Sequence, residues 1–137
     1  MKPNHFIFSL SEMKEYVQLY RERRDTVDWG QILELKDRPR IAFIQVLDEN
    51  KKTELALAGW GWENDVIKFG KIYVDKSVQR QGIADTIMQM FISIAKINQA
   101  SKITGVIDGE EFLWNWYKKL GFEVYDGNKL LMELRNL

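Results

Sequence analysis

The sequence predicts an α/β (α+β) fold: a mixed, mostly antiparallel sheet of about six to seven strands with one parallel pair, flanked by about four helices. Three observations carry this. The apolar period switches between strand-like and helix-like spacing in the order strand, two helices, three strands, helix, strand, helix, two strands. Polar turn clusters at 48–52 and 126–128 separate segments that read as hairpins. A single long apolar helix joins the strands near 69–74 and 102–108, which makes those two parallel neighbours with a right-handed crossover.

Composition sets the bounds. The chain has 137 residues, expected to form one domain over 1–137. Lys+Arg and Asp+Glu both number 20, so no global basic field exists to hold DNA or RNA. The one basic cluster, Arg21 to Arg24, is broken by Glu22 and followed by Asp25, and reads as a solvated helix face. The absence of cysteine excludes disulfides, a thiol nucleophile and thiolate metal sites. The single histidine, His5, has no second ligand at metal spacing, so no metal site is expected. No window approaches membrane-spanning length, and the apolar run at the start is too short for a signal peptide. The expectation is a cytoplasmic chain with no membrane partner.

Residues 5–9 read as a first strand. Ser9 and Glu12 form a capping-box pair, and Phe8 with Met13 can staple across it. Met13, Tyr16, Val17 and Tyr20 give one apolar stripe, so the helix runs to about Arg24. Asp28 with Gln31 caps a short second helix carrying Trp29, Ile32 and Leu33, and Pro39 ends the helical region. Ile41 to Leu47 and Thr53 to Trp62 are strands around the turn at 48–52. In the second, Leu55 and Leu57 share one face while Ala56, Ala58, Trp60 and Trp62 share the other. Gly59 and Gly61 suggest that something large, a helix or a substrate, rests there.

The chain is organised around 68–96. Phe69 to Val74 is a strand interrupted by Gly70, the mark of a bulge or a close approach. From Gly82, Ile83, Ile87, Met90, Phe91, Ile94 and Ile97 follow helical spacing, with Asp85, Gln89, Ser93 and Lys96 as a narrow polar stripe. The first N–H groups of such a helix lack internal partners and carry partial positive charge. With Arg80 adding a cation and small residues at Gly82 and Ala84, the turn reads either as a phosphate-binding site or as a turn that only needs small residues. Lys102 to Asp108 is a strand, and Glu110 to Leu120 a helix with the stripe Phe112, Leu113, Trp116, Tyr117 and Leu120, capped by Gly121. Phe122 to Tyr125 and Leu130 to Leu134 form the closing hairpin.

Ile72-Tyr73-Val74 followed by Gln79-x-x-Gly82-x-Ala84 resembles the acyl-CoA-binding signature of the GNAT (GCN5-related) N-acetyltransferases, Gln/Arg-x-x-Gly-x-Gly/Ala. Trp116-Tyr117-Lys118-Lys119-Leu120-Gly121-Phe122 resembles that family's second signature, aromatic-Tyr-x-Lys-x-Gly-Phe. The resemblance spans roughly Arg40 to the end of the chain.

This resemblance implies an acyltransferase that moves an acetyl group from acetyl-CoA, its cosubstrate, to a primary amine of a small molecule or a protein, by direct attack. It implies that Gln81, Gly82, Ile83 and Ala84 offer N–H groups to the pyrophosphate, with Gln79, Arg80, Asp85 and Thr86 around them. The backbone of Ile72, Tyr73 and Val74 would hold the pantetheine arm, with Gly70 starting the splay of two parallel strands. Tyr117 stands in the place of the general acid, though it also falls on an apolar stripe where it can simply pack. Trp29 and Tyr20 either line the acceptor side or pack. Lys68 occupies a place where many relatives carry a glutamate, so the base is unassigned; Glu63, Asp108 and Glu110 are candidates by location. Glu110 also replaces a common asparagine, and Asp85 is an unusual neighbour for a diphosphate.

Two further readings stand beside it: a non-catalytic acyl-CoA-binding module, and an aminoacyl-tRNA-acetylating toxin, against which the zero net charge speaks. No Gly-x-Gly-x-x-Gly supports a dinucleotide fold. The tryptophan-rich strands can support a homodimer.

Overall fold

The computed structural model describes residues 4–33, 41–107 and 112–134. The expected roles of Pro39, Asp108 and Glu110, and of the Phe112 and Leu113 side chains, fall outside the described residues.

The first strand, β1 (Asn4–Ser9), runs straight into the helix α1 (Leu10–Arg23). Ser9 is extended, as an N-cap must be. Its hydroxyl accepts from the Glu12 N–H at 3.1 Å while the Glu12 carboxylate accepts from the Ser9 N–H at 3.0 Å, which closes the capping box. Phe8 and Met13 are both buried beneath it. After a 3-10 turn at Arg24–Thr26, Asp28 accepts from the Gln31 N–H and starts α2 (Trp29–Leu33). Trp29 is core, edge-on to Tyr16, and takes no place at a cleft. The half-buried Tyr20 also packs against the core, under the Arg24 guanidinium.

The strands β2 (Ile41–Leu47), β3 (Glu54–Glu63) and β4 (Val66–Val74) form an antiparallel meander. A 3-10 turn at Lys76–Val78 leads to α3 (Ile83–Ile97), then β5 (Lys102–Val106), α4 (Phe112–Lys119), β6 (Glu123–Tyr125) and β7 (Lys129–Glu133). The seven strands make one sheet in the order β1-β2-β3-β4-β5-β7-β6. The expected parallel pair, β4 with β5, is present, and β1 pairs with β2 in parallel as well. That second pair follows from the return of the chain through α1 and α2, which brings β2 back alongside β1 in the same direction.

The register puts Ala42, Ile44, Ala58, Trp60, Ile67, Phe69, Ile103 and Leu130 on one face, all buried. Beneath them lies α3, whose Phe91 ring sits 5.3 Å from Trp60 and 5.1 Å from Phe69. Truncating such a residue costs about 3–5 kcal/mol. The polar stripe of α3 stays at the surface as expected, whereas Ile97 in its last turn is exposed and lies against Gly30 of α2. The opposite face of the sheet carries the exposed Ile7, Ile41, Tyr73 and Val106. There the large group over Gly59 is the Phe43 ring, at 3.1 Å from where a Cβ would stand, rather than a helix.

Candidate active site

Strand β4 changes partners at Gly70. Ala58 pairs with Ile72 and Trp60 with Phe69, so Gly70 and Lys71 together oppose Gly59 alone. This is the bulge the glycine predicted. A Cβ on Gly70 would meet the Gly59 carbonyl at 3.1 Å, a tight contact that glycine avoids as the two backbones approach. On its other edge β4 pairs with β5 from Val66↔Lys102 to Phe69↔Gly105 and no further. Beyond that point Ile72, Tyr73 and Val74 keep their bonds to β3 but have no strand on the β5 side. The two parallel strands therefore part, leaving a gap along an edge of β4 that no strand covers.

Past the gap on the helix side, Val74, Gln79, Arg80, Gly82, Ile83, Ala84, Asp85 and Trp116 line a hollow of about 170 Å³. Its wall is built locally. Asp75 accepts from the Ser77 hydroxyl, from the Ser77 N–H, which caps the 3-10 turn, and from the Tyr73 hydroxyl at 2.9 Å, and these bonds hold its carboxyl below the usual range. Tyr73 thus turns its side chain away from the hollow. The Gln79 side-chain amide donates to the Val74 carbonyl at 2.9 Å, pinning the loop to the strand end. Arg80 (φ 63°) and Gly82 (φ 84°) are left-handed at the start of α3, the backbone hand from which anion-binding nests are built. Ile83 is buried, so it can offer only its N–H. Thr86 is 1% exposed and gives its hydroxyl to the Gly82 carbonyl at 2.8 Å; it braces the turn from inside and does not face the hollow.

Two supports here escaped the sequence reading. Arg21 of α1 donates to the Gln81 carbonyl at 3.4 Å and lies against Gly82, so part of the presumed solvated basic face backs the loop. Trp116 of α4 donates its indole N–H to Asp85 at 2.6 Å. The signal for Arg21 was its position one helical turn after the buried Val17.

Tyr117 packs on the core side of the sheet, next to the point where β4 and β5 part, and lines neither the hollow nor the cleft beyond the gap. It is held by the end of α4, where Phe122 N–H bonds to the Tyr117 carbonyl at 3.1 Å and Gly121 N–H to the Lys118 carbonyl at 3.0 Å, with Gly121 at φ 104°. This is a Schellman ending, completed by edge-on contact of the Tyr117 and Phe122 rings at 5.9 Å. The Tyr117 ring also meets Phe69, the last residue of β4 paired with β5, at 6.4 Å. It is 5% exposed, and burial pushes its hydroxyl up to about 12, so the phenol stays protonated throughout the neutral range.

On the open face of the sheet the gap leads into a cleft of about 760 Å³ lined by Lys68, Phe69, Gly70, Lys71, Thr104, Gly105, Val106, Ile107, Tyr125, Asn128 and Lys129. Lys68 pairs with Glu63, and the pairing holds the Glu63 carboxyl below its ordinary value. Glu63 is therefore an anion paired with Lys68, and it does not line the cleft. Among the described residues there is no His, Cys, Asp and Glu cluster able to hold a metal ion, and no helix long and apolar enough to cross a membrane.

Residues 33–124 match the family model described as an acetyltransferase (GNAT) domain. No curated protein matches the chain in sequence. Solved structures share its fold. The ribosomal-protein-S18-alanine N-acetyltransferase from Escherichia coli is 15% identical with a TM-score of 0.61, covering 93% of this chain and 91% of that one. A GNAT-family acetyltransferase from Staphylococcus aureus Mu50 is 15% identical with a TM-score of 0.60, covering 91% and 92%. One from Elizabethkingia anophelis, solved with acetyl-CoA bound, is 19% identical with a TM-score of 0.52, covering 60% and 70%.

Proposed function

Because the chain belongs to the GNAT family of acetyltransferases, we propose that it moves an acetyl group from acetyl-CoA to a primary amine by direct attack, with residues 1–137 acting as one domain. The observation that carries this reading is the parting of β4 and β5 after Phe69 and Gly105, with an anion-suited turn on one side and Tyr117 beside the gap. The pyrophosphate of acetyl-CoA would lie against the N–H groups of Gln81, Gly82, Ile83 and Ala84, with Arg80 beside it. The pantetheine arm would run along the free edge of Ile72, Tyr73 and Val74 as an added strand does. The thioester then sits in the gap, open to the cleft on the far face.

The acceptor amine attacks the thioester carbonyl, forming the C–N bond. The C–S bond breaks with its electron pair on sulfur, and the amine loses its proton to solvent. Tyr117 gives a proton to the departing thiolate and regains one from water. In water a phenol near 12 would be a poor donor to a thiol of roughly 8.5. The burial that raises the phenol would raise the departing thiolate's affinity for a proton in the same way, which narrows the mismatch. No covalent enzyme intermediate is required, in keeping with the absence of cysteine.

A second reading, an acyl-CoA-binding module without turnover, is favoured by the engagement of Glu63 with Lys68, which leaves the described cleft without a free carboxylate base. Release of free thiol from acetyl-CoA, measured across a panel of amines, tests the choice. Amine-dependent release supports the transferase; acetyl-CoA binding with no release for any amine supports the module.

A further inference from the structure

The charges around the cleft restrict what kind of amine can enter. Three lysines, Lys68, Lys71 and Lys129, line it, and no described carboxylate does. Lys68 is engaged by Glu63, and Lys129 lies 3.7 Å from Asp126 in the hairpin turn before it. Lys71 has no ion pair among the described residues. The bulge at Gly70 places it, since the extra residue sets Lys71 at the widening of the strands. A polyamine or other multiply cationic acceptor would meet like charge there.

Lys71 also borders a second hollow, of about 340 Å³, that shares Lys68, Gly70 and Lys71 with the first. Its remaining lining is Ile41, Phe43, Leu57, Gly59, Trp60 and Gly61, without a further charge. A free cation thus stands between the reaction gap and an apolar trough. One unpaired ammonium matches one negative charge, and an α-amine places its carboxylate two bonds from the nucleophile.

Taking the acetyl-transfer reading as given, we propose that the acceptor is a small amine carrying a single carboxylate on an apolar body, the chemistry of a hydrophobic α-amino acid. Lys71 holds the carboxylate, and Phe43 and Leu57 receive the apolar part.

Product affinity tests this without relying on turnover. Binding of N-acetylleucine, N-acetylleucinamide and N-acetylserine to the CoA-saturated protein is measured by titration calorimetry. The acid should bind about tenfold more tightly than its amide, the scale of one charge-assisted contact, and more tightly than the serine product. Lys71→Ala should erase the preference for the acid and Lys71→Glu should reverse it, while Lys96→Glu, on the polar stripe of α3, should leave it intact. Equal affinity for acid and amide, or a preference that survives Lys71→Glu, overturns the charge assignment; N-acetylserine binding as well as N-acetylleucine overturns the apolar part. Amine turnover is measured on the same samples. Charge selection with no turnover of leucine or any other amine would remove the transferase reading and leave the site assignment standing.

Discussion

The indole N–H of Trp116 donates to the Asp85 carboxylate across 2.6 Å, tying α4 to the first turn of α3 beside the hollow at the helix N-terminus. Asp85 suits the positive end of that helix but adds negative charge where a diphosphate would sit. Asp85→Asn keeps an oxygen for the indole and removes the charge. Its affinity for CoA should rise several-fold at low salt, with the gain shrinking as ionic strength increases. Stability should fall by about 0.3–1 kcal/mol through loss of the dipole interaction. Unchanged or weaker CoA binding at low salt would show that the diphosphate lies elsewhere.

Tyr117→Phe removes the proposed proton donor while keeping the ring contacts to Phe69, Trp116 and Phe122. Turnover should drop by about 10²–10⁴-fold with CoA affinity unchanged. Steady-state kinetics alongside calorimetric titration separates the two, and turnover equal to wild type removes Tyr117 from the chemistry.

The same residue carries a pH signature. Its folded value, about 12, lies above the ordinary phenol value of 10.0. Between those values the unfolded chain has released this proton and the folded chain has not, so stability falls as pH rises through that window. The difference between pH 10 and 12 should be about 2 kcal/mol larger for wild type than for Tyr117→Phe in urea unfolding. Parallel curves would mean that the hydroxyl is better solvated than its burial implies.

Gly121 holds a left-handed φ of 104°, which a side chain tolerates poorly. Gly121→Ala should lower stability by about 1–2 kcal/mol, read from the urea midpoint at constant slope. Because the same turn fixes Tyr117, turnover should fall further than stability alone explains. Full activity in a destabilised variant would show that the Schellman ending supports the fold and not the chemistry.

The bulge brings two backbones close together at the edge of the gap. Gly70→Ala brings a methyl against the Gly59 carbonyl, a contact that backbone cannot easily relieve. A cost of about 1–3 kcal/mol and weaker acetyl-CoA binding are expected from chemical denaturation and calorimetry. A variant as stable as wild type would place the strand divergence elsewhere.

Signals that act over a few residues were legible in the sequence. The Ser9–Glu12 box, the Asp28 cap, the glycine bulge at Gly70 and the Gly121 ending are each a local contest between backbone conformations. The Ala56, Ala58, Trp60 and Trp62 face was equally clear because a strand alternates strictly. What escaped was long-range. Arg21 and the Gln81 carbonyl it supports lie 60 positions apart, and Trp116 lies 31 from Asp85. The parallel pairing of β1 with β2 likewise depends on where two helices carry the chain, not on any pattern within either strand. Glu63 looked available as a base because its partner Lys68 was judged only for the carboxylate it replaces. Thr86 looked like a ligand because its place in the first helical turn does not reveal which way its hydroxyl bonds.

The central claim is that the parted strands and the turn at Gly82 accept acetyl-CoA. Thermal unfolding in the presence of acetyl-CoA, CoA, NAD or ATP at matched concentrations tests it most directly. A ligand at a hundred times its dissociation constant adds about 2.7 kcal/mol, enough to raise the midpoint of a domain this size by several degrees. A rise of that order is expected with acetyl-CoA and CoA, and little or none with NAD or ATP. No rise with either CoA species, or an equal rise with all four nucleotides, would contradict it.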